Sequence, residues 1–365
     1  MMRSTRRRQG SATVQDVARM AGVSAMTVSR VVNGGSNVRE ATRIAVREAI
    51  ERLNYRPNPA ARNLAAGEAT QIGLLYSNPS AAYLSQFLIG ALAGARRAGC
   101  HLVLEACEGE SADEQAEATR QFAQTEVQGV ILPPPLSESA PVQAELAAAD
   151  IPAVSVAMGQ PAPGVGGLNV RIDDRAAAAA MTRHLIDLGH RDIAFIRGHP
   201  NQLASADRHR GFVDALRDAG IDPAAAAIEQ GYFTFRSGIV AAERLLARNP
   251  RPTAIFASND DMAAAAVGVA HRQGLRVPED VSVVGFDDTA LATNIWPELT
   301  TVRQPIAQMA ETAVSLLLAR LRQRGPAGPE VAEEVLDHEL IVRESSGPPP
   351  RTAGARTASR TRRAG

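Results

Sequence analysis

Three apolar rhythms at helical spacing open the chain. Val14, Val17, Ala18 and Ala21 recur at three- and four-residue intervals, Thr13 stands where an N-cap belongs and Asp16 falls in the first turn, which predicts a helix. Gly22 breaks that rhythm, and Ser24 can cap a second short helix whose Val28, Val31 and Val32 pack back on the first. After the loop GGSNVRE a third amphipathic helix is predicted from about Glu40 to Leu53, with Ile44, Val46, Ile50 and Leu53 as its apolar positions. A helix, a tight glycine turn and a second capped helix make a helix-turn-helix pattern. Its second helix turns Ala25, Met26, Ser29 and Arg30 outward near the N-terminal end, a mixture that a merely solvated face rarely carries. Each suits the edges of base pairs in a major groove. A guanidinium can pair bidentately with guanine, a hydroxyl can bond a phosphate or base, and the apolar pair can meet a thymine methyl.

From Gln71 onward the rhythm changes. Short runs rich in β-formers alternate with Ala-rich helical stretches: IGLLYS, a helix from about Leu84 to Ala98, HLVLEAC, a helix through Gln121, GVILPP and IPAVSVA. The alternation restarts at RDIAFIRG and continues through TAIFASN and SVVGFDD. Such alternation predicts parallel βαβ units in two α/β halves. Ligands of open parallel sheets sit beyond the carboxyl ends of the strands. That rule selects Ser77 and Asn78 after IGLLY, Ser258 and Asn259 after AIFA, and Asp287 and Asp288 after VVGF, with Arg208 opening the helix of RHRGFVDAL. A convergent Arg, Asn and Asp set grips vicinal hydroxyls by paired hydrogen bonds. Asp260 and Asp288 have a second reading as caps of the helices that follow them. Tyr83 either lines the mouth of the crevice or covers the first helix of this region. Trp296 reads as packing beneath LTTVRQP or as pocket lining. His184 and His190 flank a helix end and read as capping or surface residues.

Charge divides the chain although its net value is zero. Residues 1–67 hold twelve Arg against Asp16, Glu40, Glu48 and Glu51, a net +8, and residues 347–365 hold five Arg and no acid, leaving −13 for the remainder. A basic head on an acidic body implies a polyanion-binding module joined to a body with another task. All 39 cationic side chains are Arg, so Walker-type phosphate loops and Schiff-base chemistry are excluded, and neither G-x-S-x-G nor HExxH occurs. PAPGVGGLN follows no strand-to-helix fingerprint. Cys100 and Cys107 lie in or beside an apolar run with no partner at metal-ligand spacing and read as inert core thiols. No metal site, no cofactor and no enzymatic activity are expected. The opening MMRSTRRRQG offers no apolar signal segment, and no run of roughly eighteen uncharged apolar residues occurs, so a cytoplasmic, nucleoid-associated protein without membrane contact is expected.

TVQDVARMAGVSAMTVSRVVNG, LNYRPNPAARNLAAG, IGLL, HLIDLGHRDIAFI, RHRGF, FASNDDMAAAAV, VPEDVSVVGFDD and LTTVRQP, in this order from residue 13 to about 343, together resemble the lac repressor/galactose repressor family of bacterial transcription regulators. The resemblance implies a helical DNA-binding head on an α/β periplasmic-binding-protein-like body of two parallel-sheet subdomains. Within the head it implies base reading by Ala25 and Met26, a base or phosphate contact by Arg30, and phosphate contacts by Thr13, Ser24, Thr27, Ser29, Asn33 and Asn37. It implies a hinge helix whose Leu64, one turn after Ala61, wedges between base pairs in the minor groove. It also places Arg208, Asn259 and Asp287 at ligand positions and Phe233 at an aromatic stacking position. Asn78 and Tyr83 complete the expected effector set. The implied division is a basic tail at 1–12, the helix-turn-helix domain at 13–57 and a hinge at 58–67. An effector-binding and dimerisation body follows at 70–343, then a disordered basic tail at 344–365. Inside the body the first subdomain is expected at about 70–168 and 303–330, and the second at about 169–300 and 331–343, with crossovers near Asn169, Thr301 and Glu339. The implied function is repression at a pseudo-palindromic operator by a dimer under small-molecule control. A neutral sugar inducer is the expected effector; a purine corepressor, another metabolite and a transport-receptor role are the alternatives. Residues 344–365 contain no leucine for the tetramerising helix of some relatives, so a homodimer is expected.

Overall fold

The computed structural model describes residues 14–32, 39–53, 70–109, 111–158, 167–322 and 332–350. Thr13, Asn33, Asn37, Ala61 and Leu64, the hinge, the N-terminal tail and residues 351–365 lie outside the described residues, as does the side chain of Ser29. Two compact units divide the chain, one within Met1–Thr70 and one within Gln71–Gly365.

The first unit holds α1 (Val14–Ala21), α2 (Ala25–Val32) and α3 (Glu40–Arg52). Gly22 turns the chain at φ +62°, a left-handed conformation that favours glycine, and the Ser24 hydroxyl accepts from the Thr27 amide at 3.2 Å to cap α2. Val17, Ala18, Val28, Val46 and Ala49 form the buried core. The stripe predicted on α3 is corrected at one position. Ile44 is 50% exposed, because Val46 and Ala49 point at α1 and Ile44 lies on the opposite side.

The body is built on two parallel sheets. The first has the order β11-β5-β4-β3-β1-β2, from β1 (Gln71–Tyr76), β2 (His101–Ala106), β3 (Gly129–Leu132), β4 (Ala153–Val156), β5 (Leu168–Ile172) and β11 (Ala332–Leu336). The apolar runs of its inner strands β1, β3 and β4 are buried, as parallel sheets favour, while the edge strands β2 and β11 are largely exposed. One face packs on α4 (Ala81–Ala98) and α12 (Ile306–Arg322), the other on α5 (Ala112–Ala123) and α6 (Ala140–Ala148). The second sheet, β7-β6-β8-β9, comprises β6 (Ile193–Arg197), β7 (Ile228–Gln230), β8 (Ala254–Ala257) and β9 (Ser282–Val284). It lies between α7 (Asp174–Asp187) with α8 (Leu203–Asp218) and α9 (Phe235–Leu246) with α10 (Asp260–Arg272). The four-residue α11 (Leu291–Asn294) follows. A two-stranded antiparallel ribbon of β10 (Thr301–Arg303) and β12 (Glu339–Ile341) forms the crossover expected at Thr301 and Glu339.

Three boundaries move. Leu168–Ile172 and Ala332–Leu336 belong to the first sheet, because β5 pairs with β4 and β11 pairs with β5. The first crossover therefore comes after Ile172. Residues 344–350 belong to the fold: buried Ser345 donates to Val283 O and accepts from the Thr300 amide. His190 is buried rather than superficial, its two ring nitrogens reaching Thr253 Oγ1 and Gly347 O at 2.8 Å each. Trp296 fulfils neither expectation, being 74% exposed beside Pro278 and Pro297 and away from the cleft. Cys100 and Cys107 are free and buried.

Helices α7 and α8 approach closely at Gly211, where an added Cβ would stand 2.1 Å from the Arg175 carbonyl oxygen. Gly211→Ala should therefore cost about 1–3 kcal/mol by forcing the pair apart. A lowered unfolding midpoint in denaturant titration checks this.

Candidate functional site

A cleft of about 420 Å³, including its open mouth, lies between the two subdomains of the body. Every lining segment follows a strand. Asn78, Pro79 and Ser80 come after β1, Pro134 after β3, Ala157 after β4, and Gln202, Ala204 and Arg208 after β6. Phe233 follows β7, Asn259 follows β8, Asp287 follows β9 and Gln304 follows β10. Tyr83, one turn into α4, completes the wall. The carboxyl ends of both sheets thus converge on one space, as parallel topology favours. All six expected effector residues, Asn78, Tyr83, Arg208, Phe233, Asn259 and Asp287, line it.

Their hydrogen bonding separates supports from open groups. Asn78 donates to Pro134 O and accepts from the Ser80 amide, both at 2.9 Å. Asn259 caps α10 by accepting from the Met262 amide at 3.0 Å and donates to Phe233 O at 3.0 Å. Ser258 donates to Ile196 O and serves the backbone. Arg208 donates from Nε to Asp174 Oδ1 at 2.7 Å and from Nη1 to Ser258 O at 2.6 Å, stands 3.6 Å from Asp287 Oδ1, and lies over the Phe286 ring at 3.7 Å. Its charge is therefore shared by two buried carboxylates. Burial holds both Asp174 and Asp287 above the usual carboxylate range, with Arg208 opposing. Tyr83 stacks near Phe87 with its ring buried, so it packs the helix and lines the cleft at once. The Tyr83 hydroxyl and Gln304 Oε1 are buried polar atoms with no hydrogen-bond partner, and Gln304 Nε2 donates to Asp287 Oδ1. An unpaired buried polar atom costs about 1–3 kcal/mol, so both atoms favour an occupant.

Backbone strain concentrates at the same place. Five described residues other than glycine have positive φ; Ala157, Phe233 and Asp287 line the cleft and Asp288 adjoins it. Such conformations cost about 1–3 kcal/mol each and cluster at binding sites. Asp288 does not cap a helix: its carboxylate holds Arg303 and Arg343 at 2.7 Å each, pinning β10 beside β12. Asp260 is wholly buried in the first turn of α10 behind the cap of Asn259, and its carboxylate accepts from Thr289 and from Thr301 of the crossover. The strand-end rule, applied to β3, β4 and β10 as well, would have found Pro134, Ala157 and Gln304. Applied to β5, the same rule also reaches Asp174, two residues after Ile172, whereas Ser80 and Gln202 lie four and five residues beyond their strands.

On the head, Ala25, Met26 and Arg30 occupy an exposed face of α2; Met26 is 66% exposed and Arg30 reaches its sulfur at 3.8 Å. Ser24 Oγ and Thr27 Oγ1 lie 2.9 Å apart at the start of the same helix. Among the described residues, no group of His, Cys, Asp or Glu could hold a metal ion, and no helix is long and apolar enough to cross a membrane.

Comparison with known proteins joins the two units. The family described as bacterial regulatory proteins, lacI family, matches residues 13–58, and a periplasmic binding protein-like domain matches residues 182–346. The HTH-type transcriptional repressor PurR of Photobacterium profundum is 34% identical over 92% of this chain and 98% of its own length. The chain belongs to the lacI family. It is a DNA-binding transcriptional repressor of that family, and its similarities extend to solved structures. A transcriptional regulator CelR-cellobiose complex shares 34% identity and a TM-score of 0.69, covering 92% of this chain and 100% of that one. The lac repressor dimer bound to operator and the anti-inducer ONPF shares 30% identity and a TM-score of 0.68, with 93% and 100% covered.

Proposed function

We propose that this repressor binds a neutral, polyhydroxylated sugar in the cleft, and that occupancy weakens its hold on a pseudo-palindromic operator. The carrying observation is the pairing of cleft charges. Arg208, the cation lining the cleft, is already shared by Asp174 and Asp287, while Tyr83 Oη and Gln304 Oε1 stand unpartnered. Such a lining suits hydroxyls, which donate and accept, and disfavours a phosphate, which needs uncommitted cations. Arg303 is held by Asp288 and Glu339, and Arg236 does not line the cleft. The cellobiose complex of a similar regulator supports the sugar reading. A purine corepressor is the second reading, favoured by Tyr83 and Phe233 contributing one aromatic ring from each subdomain.

Calorimetry against cellobiose, glucose, glucose 6-phosphate and hypoxanthine separates these readings. The sugar reading expects a neutral sugar to bind and the phosphate to fail; binding of hypoxanthine alone would replace it by the second. Asp287→Ala should abolish the response of operator binding to that sugar while leaving repression intact. Release of the operator by the sugar in this variant would remove Asp287 from the site.

Operator reading rests on Ala25, Met26 and Arg30, with Ser24, Thr27 and Ser29, and beyond the described residues Thr13, Asn33, Asn37, Ala61 and Leu64, as supporting contacts. Arg30→Ala should weaken specific operator binding by about 1–3 kcal/mol in a titration at fixed salt. A homodimer fits two half-sites, and Ile89 (63% exposed) and Leu92 (53%) on α4 offer it an apolar face.

A further inference from the structure

Two carboxylates cross the cleft in opposite directions, each ending at the start of a helix in the other subdomain. Glu138 closes the short turn after β3 in the first subdomain, and its Oε2 accepts from the Leu203 amide of α8 at 2.8 Å. Helix α8 lacks a cap of its own, since its N-cap residue Gln202 makes no side-chain bond to the helix. On the other side, Asp261 of α10 accepts from Ser80 Oγ at 2.6 Å, and Ser80 is the N-cap of α4, its hydroxyl accepting from the Tyr83 amide at 3.2 Å. Helix N-termini attract carboxylates through their unpaired amides and dipoles, so both contacts are favourable in charge as well as geometry. The two helices so held carry Arg208 on α8 and Tyr83 on α4, which stand on different walls of the cleft.

We infer that Glu138 and Asp261 are positioning residues forming a reciprocal clasp that holds the two subdomains together over the cleft before any effector arrives. The clasp supplies part of the closing free energy, and it thereby sets how tightly an effector touching both walls is bound. Neither Glu138 nor Asp261 belongs to the effector set, although Asp261 Oδ2 also accepts from Asn259 Nδ2 at 3.4 Å, so the clasp acts on whichever molecule touches both walls.

Amide exchange followed by mass spectrometry on the full chain, with no sugar added, tests the clasp. Glu138→Ala should speed exchange about tenfold or more at Leu203 and also in the first turn of α4, at Tyr83 and Leu84, which Glu138 does not touch. Asp261→Asn should speed exchange at Leu203 in return. Glu138→Gln, whose amide oxygen can still accept from Leu203, should restore most of the protection in α4. Changes confined to each variant's own contact would overturn the clasp, leaving two independent helix caps. If cellobiose binds the wild-type protein, Glu138→Ala should weaken that affinity about tenfold, and an unchanged affinity would also overturn it. If cellobiose binds neither protein, the exchange result alone decides the clasp.

Discussion

Arg208→Ala should destabilise the body by about 3–5 kcal/mol, the cost of breaking a buried ion pair from one side. The substitution leaves Asp174 and Asp287 buried with no cation between them and removes the donor to Ser258 O. Neither carboxylate can remain ionised cheaply there, because burial already raises both and Arg208 is the main opposing influence. Against a typical total of 5–15 kcal/mol the loss is large, and a lower unfolding midpoint and reduced soluble yield are expected. Arg208→Lys should recover little, since an ammonium is a point charge and cannot hold Asp174, the Ser258 carbonyl and the Phe286 face together. A double variant, Arg208→Met with Asp174→Leu, should regain part of the stability without regaining effector response. Denaturant midpoints of the four proteins decide the matter. Wild-type stability in Arg208→Ala would mean that the triad contributes nothing to folding.

The same triad shows what sequence could and could not reveal. Arg208 and Asp287 were legible because each stands in a motif or directly after an apolar run, where parallel topology places ligands. Asp174 was not, since LNVRI before it was not read as a strand and its carboxylate meets Arg208 only when α7 and α8 pack. The division into head and body followed from periodicity and charge, and α1 to α3 came out near their expected positions. The subdomain boundaries shifted because strand pairing is a long-range choice: nothing local in LNVRI tells that it pairs with AVSV rather than opening the second sheet. Ile44 illustrates the limit of apolar patterning in a short helix, where one turn of phase decides which side chain faces α1. Trp296 shows that a large aromatic residue is a weak guide to burial. Gln304 carries a weaker signal, since it is a neutral amide and follows a crossover strand that belongs to neither parallel sheet.

Stability should fall as pH rises from about 4 to about 7, through Asp260. Burial pushes this carboxyl up to about 7 from an ordinary value of 3.8, against the hydrogen bonds of Thr301 and Thr289 and with help from Asp288. Within that window the folded state keeps a proton that the unfolded chain has released. The folded state therefore binds more protons, and each further unit of pH favours unfolding by up to about 1.4 kcal/mol. The contribution is fully present below pH 3.8 and gone above 7. His209, pushed down to about 4 by burial and by Arg197 and Arg210, acts with the opposite sign between 4 and its ordinary 6.5. The slope of the whole protein is thus a sum, and the difference between wild type and Asp260→Asn isolates the carboxyl. The amide cannot ionise, yet its oxygen can accept from Thr301, so the crossover anchor is largely kept. Guanidinium midpoints at pH 5, 6 and 7 should show the stability of Asp260→Asn rising relative to wild type at each step. Parallel curves would mean that Asp260 is ionised throughout and that the threonine hydroxyls, with the Thr289 amide, suffice to hold its charge inside the body.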